Sequence, residues 1–335
     1  MDVRMDVGMI IIIILIIGIG FLMAYILKSI ILPKRAAAAA DQLSKSKRTQ
    51  AIRTAKAMIE KDPKDVEAHY LLGKAYLAEK REEQAYREFR SVSRLGITGK
   101  NIPEIEFRET IAALYAKFNE ADEALKEYIL LIKLHPENPG YYYHSGKLFS
   151  SRNRGDLAEQ YLRKAISLNP KEGSYHFELG MLYYLSKRIK EASAEFEEAL
   201  NLNPQDGQIL LYMGKILKDS KDYAGAVSYL EKASRDQEYK QRALVELGSC
   251  YMSLKMLGKA IAELERAVNC IEKEDEPDGL YARYFLAMCY EKTQEIGKAV
   301  AQWDKIYAIK KNFRDVGQKL TQYIEYRQGN TEKEK

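Results

Sequence analysis

Residues 173–206 read GSYHFELGMLYYLSKRIKEASAEFEEALNLNPQD, and the spacing within them decides the fold. After the small residue Gly180 come Tyr183, Ala192, Phe196 and Ala199, with Pro204 near the end. Apolar residues separated by three, four and seven belong to helix faces, not strands. The stretch therefore reads as helix, turn, helix, closed by a proline that a helix cannot easily continue through.

Outward from it the pattern repeats. Ala192 is one rung of a ladder formed by Ala51, Ala85, Ala124, Ala158, Ala192, Ala226, Ala260 and Ala299, at intervals of 34, 39, 34, 34, 34, 34 and 39 residues. Twelve residues before every rung but the first stands Gly73, Ala112, Gly146, Gly180, Gly214, Gly248 or Ala287. Glycine inside a helix costs roughly 1 kcal/mol relative to alanine, so five such glycines point to close helix approach. Each rung is expected to lie where the second helix meets the small residue of the first. Pro63, Pro136, Pro170 and Pro204 close second helices. A period in this range signals units too small to bury their own apolar faces, which stack on their neighbours.

These residues resemble the tetratricopeptide repeat family, whose pattern sets a small residue at position 8, an aromatic at 11, alanine at 20 and proline near 32. The repeats fall at 66–99, 105–138, 139–172, 173–206, 207–240, 241–274 and 280–313, behind a leading half-repeat helix at 46–65. The resemblance implies an all-α fold, a right-handed α-solenoid of about seven helix-turn-helix repeats. Three departures are visible. Position 4, often aromatic, holds His69, Arg108, Tyr142, His176, Leu210, Leu244 and Arg283; the last three repeats lack the closing proline; and five extra residues precede repeats two and seven. Local twist near Gly96–Pro103 and Glu274–Gly279 is therefore expected to differ. Residues 314–327 read as a capping helix with Val316, Leu320, Tyr323 and Ile324 on one stripe, and 328–335 as a polar tail.

Ahead of the repeats, behind a short tail at 1–7, Gly8 to Leu27 are twenty consecutive uncharged, mostly apolar residues. They are long enough to cross a hydrocarbon core of about 30 Å. Thirteen are Ile, Leu or Phe, worth roughly −4 to −8 kcal/mol on the insertion scale. One transmembrane helix is expected at 8–32. A cleaved secretory signal is the competing reading, because Ala36–Ala40 could mimic a cleavage site. The apolar stretch is too long for it, and only Arg4 is basic in front of it.

The chain carries a net charge of +5. Residues 34–58 contribute seven basic against one acidic side chain, while 1–33 sum to zero. The basic character thus belongs to a juxtamembrane linker or helix at 33–45 and the residues just beyond it. Lys28, Lys34, Arg35, Lys45, Lys47 and Arg48 are the expected membrane-surface residues. The Lys/Arg-rich flank normally stays cytoplasmic, which sets the repeats on the cytoplasmic side of an inner membrane; a periplasmic orientation is the alternative. The nearly neutral repeats argue against nucleic acid, which requires a concentrated basic face.

Chemistry is sparse. Cys250, Cys270 and Cys289 form no CxxC pair, and the four histidines lack a second ligand at helical spacing. Gly140–Leu148 departs from a phosphate loop in spacing and lacks its hydroxyl residue. No enzyme, cofactor, metal or small-molecule substrate is expected. In the family the first helices line a concave groove, and the resemblance carries a protein-binding role onto Tyr70, Lys74, Tyr143, Lys147, Phe177, Met181, Tyr184, Leu211, Lys215, Tyr281, Tyr284 and Met288. Aromatic anchors and lysines there suit a protein segment with apolar and acidic side chains. Tyr70 and Lys74 replace the Lys and Asn of chaperone-binding relatives, which disfavours that partner. The expected function is a membrane-anchored bacterial repeat scaffold organising an envelope assembly or quality-control complex. A periplasm-facing structural part of an envelope or flagellar-motor assembly, or an accessory subunit of a membrane enzyme, are the alternatives.

Overall fold

The computed structural model describes residues 32–97, 101–273 and 275–323. Among them are sixteen helices and no strand. The expected tails 1–7 and 328–335, the apolar segment 8–31 with Lys28, and the end of the capping helix from Ile324 lie outside the described residues. No helix among the described residues is long and apolar enough to cross a membrane. The chain divides into two compact units between Leu131 and Ile132.

The first unit holds α1 (Leu32–Lys61), α2 (Val66–Ala78), α3 (Glu82–Leu95), α4 (Glu104–Lys117) and most of α5 (Ala121–Leu134). Helix α1 runs unbroken through 33–45, so that stretch is helix, as its five consecutive alanines favour. Pro63 ends it. Arg48 Nη1 donates to the Ala78 carbonyl at 2.8 Å, a cation at the C-terminal end of α2. That residue, expected at the membrane surface, is engaged by the first repeat. Phe89, Phe107, Ile111 and Leu131 form the buried core.

The second unit stacks α6 (Pro139–Ser151), α7 (Gly155–Leu168), α8 (Gly173–Leu185), α9 (Ile189–Leu202), α10 (Gly207–Asp219), α11 (Tyr223–Ala233), α12 (Lys240–Ser253), α13 (Leu257–Asn269), α14 (Pro277–Lys292), α15 (Ile296–Ile309) and α16 (Val316–Gln322). Side-chain caps begin several of these: Asn138 accepts from the Gly140 amide, and Asp206 from those of Gln208 and Ile209. Second helices end two residues before Pro136, Pro170 and Pro204. Where the proline is missing, α11 stops early at Ala233, and Asp236 takes over by accepting from the Glu238 amide at 2.9 Å.

Every repeat turns in the same way. Its fifteenth residue adopts a left-handed φ of 57–65°, at Lys80, Asn119, Asn153, Lys187, Lys221, Lys255 and Gln294. The next amide then reaches back to the position-11 carbonyl, as Arg188 does to Tyr183 and Met256 to Tyr251, both at 2.9 Å. These bonds satisfy carbonyls that the helix end leaves unpaired.

The alanine ladder is buried from Ala85 to Ala299, each at 0% exposure, but Ala51 is exposed while Ile52 and Ala55 are buried. A rung packs against the first helix of its own repeat, and α1 is a second helix without one. The small residues press still more closely on a further partner, while the rung Ala226 also comes within 3.4 Å of a Cβ placed on Gly214. A Cβ placed on Gly73, Gly146, Gly180, Gly214 or Gly248 would come within 2.5–2.7 Å of Phe89, Leu162, Phe196, Leu230 or Leu264. That partner lies four residues beyond the rung, one helical turn on.

The unusual position-4 residues hold repeats together internally. His69 Nδ1 meets Glu88 at 2.6 Å, Arg108 donates to Glu127 at 2.6 Å, His176 Nδ1 meets Glu195 at 2.8 Å and Arg283 donates to Gln302 at 3.0 Å. Each bond ties a first helix to its own second helix. Hydrogen bonds from position 11 tie repeats to one another: Tyr183 Oη donates to Glu159 at 2.8 Å, Tyr251 to Glu231 at 3.1 Å and Tyr290 to Glu265 at 2.5 Å. Three of the five extra residues before repeat seven are absorbed by a longer α14 that starts at Pro277, three residues ahead of the expected boundary, with Gly279 against Ile271. Those before repeat two include the buried Ile102, and Gly96, at φ +88°, lies just ahead of them in repeat one.

Candidate first-helix binding face

In the second unit the first helices of successive repeats present a common face, and two clefts open on it. One, of about 550 Å³, is lined by α6, α8 and the start of α10, including Tyr143, Lys147, Phe177, Glu178 and Gln208. The other, of about 770 Å³, is lined by α10, α12 and α14 and closed by Arg314, just before α16.

On the smaller cleft Tyr143 lies 4.9 Å, ring to ring, from the buried Tyr175, and Lys147 Nζ sits 5.2 Å above Tyr143. Lys147 also pairs with Glu178 of the next repeat at 3.5 Å. Burial pulls the Lys147 ammonium down, but Glu178 and Tyr143 outweigh it and raise its pKa. Phe177 is half-buried, against Phe196 at 5.6 Å and Tyr212 at 6.0 Å. Tyr184 donates to Asp219 at 3.2 Å, and burial together with that carboxylate raises its phenol pKa.

The larger cleft carries Tyr212, Tyr239, Tyr281 and Phe285 as its aromatic wall. Its cations are mostly spoken for. Lys218 hydrogen-bonds Glu246, to which Lys215 also lies at 3.9 Å, while Arg242 donates to Asp278 at 2.6 Å. The hydrogen bond and charge of Asp278 together raise the pKa of Arg242.

The residues expected to bind thus divide by burial. Tyr70, Leu211 and Tyr284 are at most 7% exposed: Tyr70 belongs to the core of the first unit, Leu211 lines the larger cleft, and Tyr284 is not among its lining residues. Tyr70 packs on Phe89 and Phe107, and Tyr284 donates to Asp315 at 2.7 Å. Tyr143, Phe177, Met181, Tyr184, Lys215, Tyr281 and Met288 are half-buried, and Lys74 and Lys147 are exposed. In the first unit Lys74 pairs with Glu106 at 2.9 Å, both near half exposure. Sequence reasoning missed Tyr212, Arg242, Phe285 and Arg314. Arg242 sits at position 2, one of the family's groove positions, so its register signalled it. Tyr212 and Phe285 sit at position 6, and Arg314 follows the last repeat; no repeat rule reaches them.

Burial pushes the thiols of Cys250 and Cys289 up to about 11, as for packed side chains. Among the described residues no group of three or more His, Cys, Asp or Glu side chains is placed to hold a metal ion.

Solved structures share the architecture. The chain is similar to one in the APC/C hetero-tetramer Cut9–Hcn1, at a TM-score of 0.56 and 16% identity, covering 82% of this chain and 52% of that one. It is also similar to a tetratricopeptide repeat protein from Parabacteroides merdae (0.54, 13% identity, 80% and 98% covered) and to yeast Tom70 (0.50, 19% identity, 86% and 59% covered). The chain thus spans about half the length of the Cut9–Hcn1 chain it matches, and at these identities the likeness is one of fold. No curated protein matches it in sequence. Sequence models described as tetratricopeptide repeat match residues 42–95 and 217–283, 139–172, and 173–206, together more than half of the chain. With these matches, and with helix pairs, turns and buried alanines recurring along the described residues, the chain belongs to the tetratricopeptide repeat family.

Proposed function

We propose that this chain is a membrane-tethered scaffold, holding protein partners on its first-helix face and organising an envelope assembly or quality-control complex at a bacterial-type inner membrane. Protein–protein interaction is the role of its repeat class. The tether is the finer step. The observation that carries it is the twenty-residue apolar run Gly8–Leu27 followed directly by the basic stretch 34–58. Together they supply an anchor and the charge asymmetry that keeps the following domain cytoplasmic. The scaffolding part is supported by half-buried aromatic rings beside lysines on the clefts of the second unit, the composition that interface centres favour.

Alkaline extraction of membranes carrying the full chain tests the tether. The expected result is retention in the pellet, with a chain lacking residues 1–31 released to the supernatant. A phosphatase fused after Lys335 should be inactive, since that enzyme matures only in the periplasm. Release of the full chain would refute the anchor, and an active fusion would refute the orientation.

A further inference from the structure

The larger cleft has one basic group that nothing acidic answers. Arg314 lies 4.9 Å and 5.1 Å from the rings of Tyr281 and Tyr284, and no carboxylate among the described residues pairs with it. The other cations on that wall differ: Lys215 and Lys218 share Glu246, and Arg242 holds Asp278. Glu276, the remaining acid of the lining, pairs outward with Lys273 at 3.2 Å. Arg314 is also exposed and therefore reachable.

Its backbone is set apart in the same way. Of the eight non-glycine residues with positive φ among the described residues, seven occupy the repeat turns and the eighth is Arg314, at φ 47°. The conformation is one that a long side chain adopts only at a cost. Here it precedes α16, whose Val316 and Leu320 are buried and whose Lys319 donates to Glu291 at 2.7 Å. The packed start of α16 thereby holds the backbone that carries the guanidinium beside the two rings.

The Arg314 guanidinium hydrogen-bonds the side chains of Tyr281 and Tyr284, and with five N–H donors it retains others for an acceptor, a carboxylate being the group that such a planar fork matches. Beside it, Tyr281 and Phe285 stack at 6.0 Å and 28°, both half-buried, and offer an apolar surface. We infer that this cleft takes an extended peptide segment of a protein partner, seating an internal Asp or Glu side chain on Arg314 and a neighbouring apolar side chain on the Tyr281–Phe285 pair. The inference rests on the first-helix face being a peptide-binding surface, and it adds the chemistry that the surface selects.

The test is selection of peptides from a random library displayed with both free and blocked C-termini, against the full chain held in lipid nanodiscs. Wild-type protein should enrich peptides with an internal acidic residue next to an apolar one. Arg314→Gln should keep the apolar preference and lose the acidic one, and Arg314→Lys should restore it in part. A second readout needs no variant. Exchanging the acid of a selected peptide for its amide should weaken binding about tenfold, the scale of a charge-assisted pair, and remove most of its salt dependence. Acidic enrichment that persists in Arg314→Gln, an amide exchange without effect, or enrichment confined to a free terminal carboxylate would overturn the inference. Selection of no peptide by wild-type protein would instead refute the underlying reading of the face.

Discussion

At the scale of single residues, two opposing effects meet at the helical glycines. Replacing glycine by alanine inside a helix stabilises by roughly 1 kcal/mol through backbone entropy. At Gly248 the new Cβ would stand 2.5 Å from Leu264 Cγ and 2.7 Å from its Cδ2, and Leu264 is itself 0% exposed with no room to withdraw. Overpacking of this kind costs about 1–3 kcal/mol, so the clash wins. Gly248→Ala is expected to lower the denaturant midpoint of the second unit despite its better helix propensity. A raised midpoint would mean that the first and second helices are farther apart than described. The rungs and glycines were legible because their identities repeat. The left-handed residue of each turn was not, because Lys, Asn and Gln share it and only glycine would have announced it. At that residue the turn geometry overrides side-chain preference.

Between elements, the joints are polar as well as apolar. Glu159 on α7 receives hydrogen bonds from Tyr183 and Arg188 of the next repeat and from Arg163 on its own helix. Partial burial would raise its pKa, yet Arg188, Tyr183 and Arg163 outweigh that and hold the carboxyl down at about 2, from an ordinary 4.5. A carboxyl with a depressed folded-state pKa contributes stability that is present above the unfolded value and is lost as pH falls through the folded one. The second unit should therefore lose stability between about pH 4.5 and pH 2, and Glu159→Gln should remove much of that slope. Unfolding midpoints of both proteins across this range would check it: the gap between them narrows as pH falls. A gap of constant width would show that the joint does not depend on the charge. Such joints were hidden in the sequence, because Glu159 and Tyr183 are linked by no repeat rule for the second helix. The position-4 residues made the same point in reverse. His69, Arg108, His176 and Arg283 read as departures from the family pattern, and they prove to be bonded to the residue nineteen positions on.

For the molecule as a whole, fold and site differ in how far the sequence reaches. Helix pairs recur along the described residues at the spacing of the alanine ladder, and the exceptions have causes. Ala51 lacks a first helix to cover it, and α14 lengthens to take up extra chain. The candidate face was legible in register but not in burial. Tyr70 and Tyr284 occupy groove positions and are used up as core, and Leu211 reaches the cleft while only 4% exposed, whereas Tyr212 and Phe285 lie at the following position and line the cleft. Whether a side chain points into a cleft or under it depends on the neighbouring repeat, which a single-repeat pattern does not encode. Charge is likewise divided: the basic residues cluster at 34–58, and residues 59–335 total −1, so the net positive charge of the chain belongs to that stretch and not to the repeats.

The central claim, that partners are held on the first-helix face, is tested most directly by site-specific photo-crosslinking in intact membranes. A photoreactive amino acid is placed in turn at Phe177 and Tyr212 on that face and at the exposed Glu198 and Lys232 on second helices. The account predicts discrete adducts of the same partner from Phe177 and Tyr212, and none from Glu198 or Lys232. Adducts formed only from the second-helix positions would contradict it.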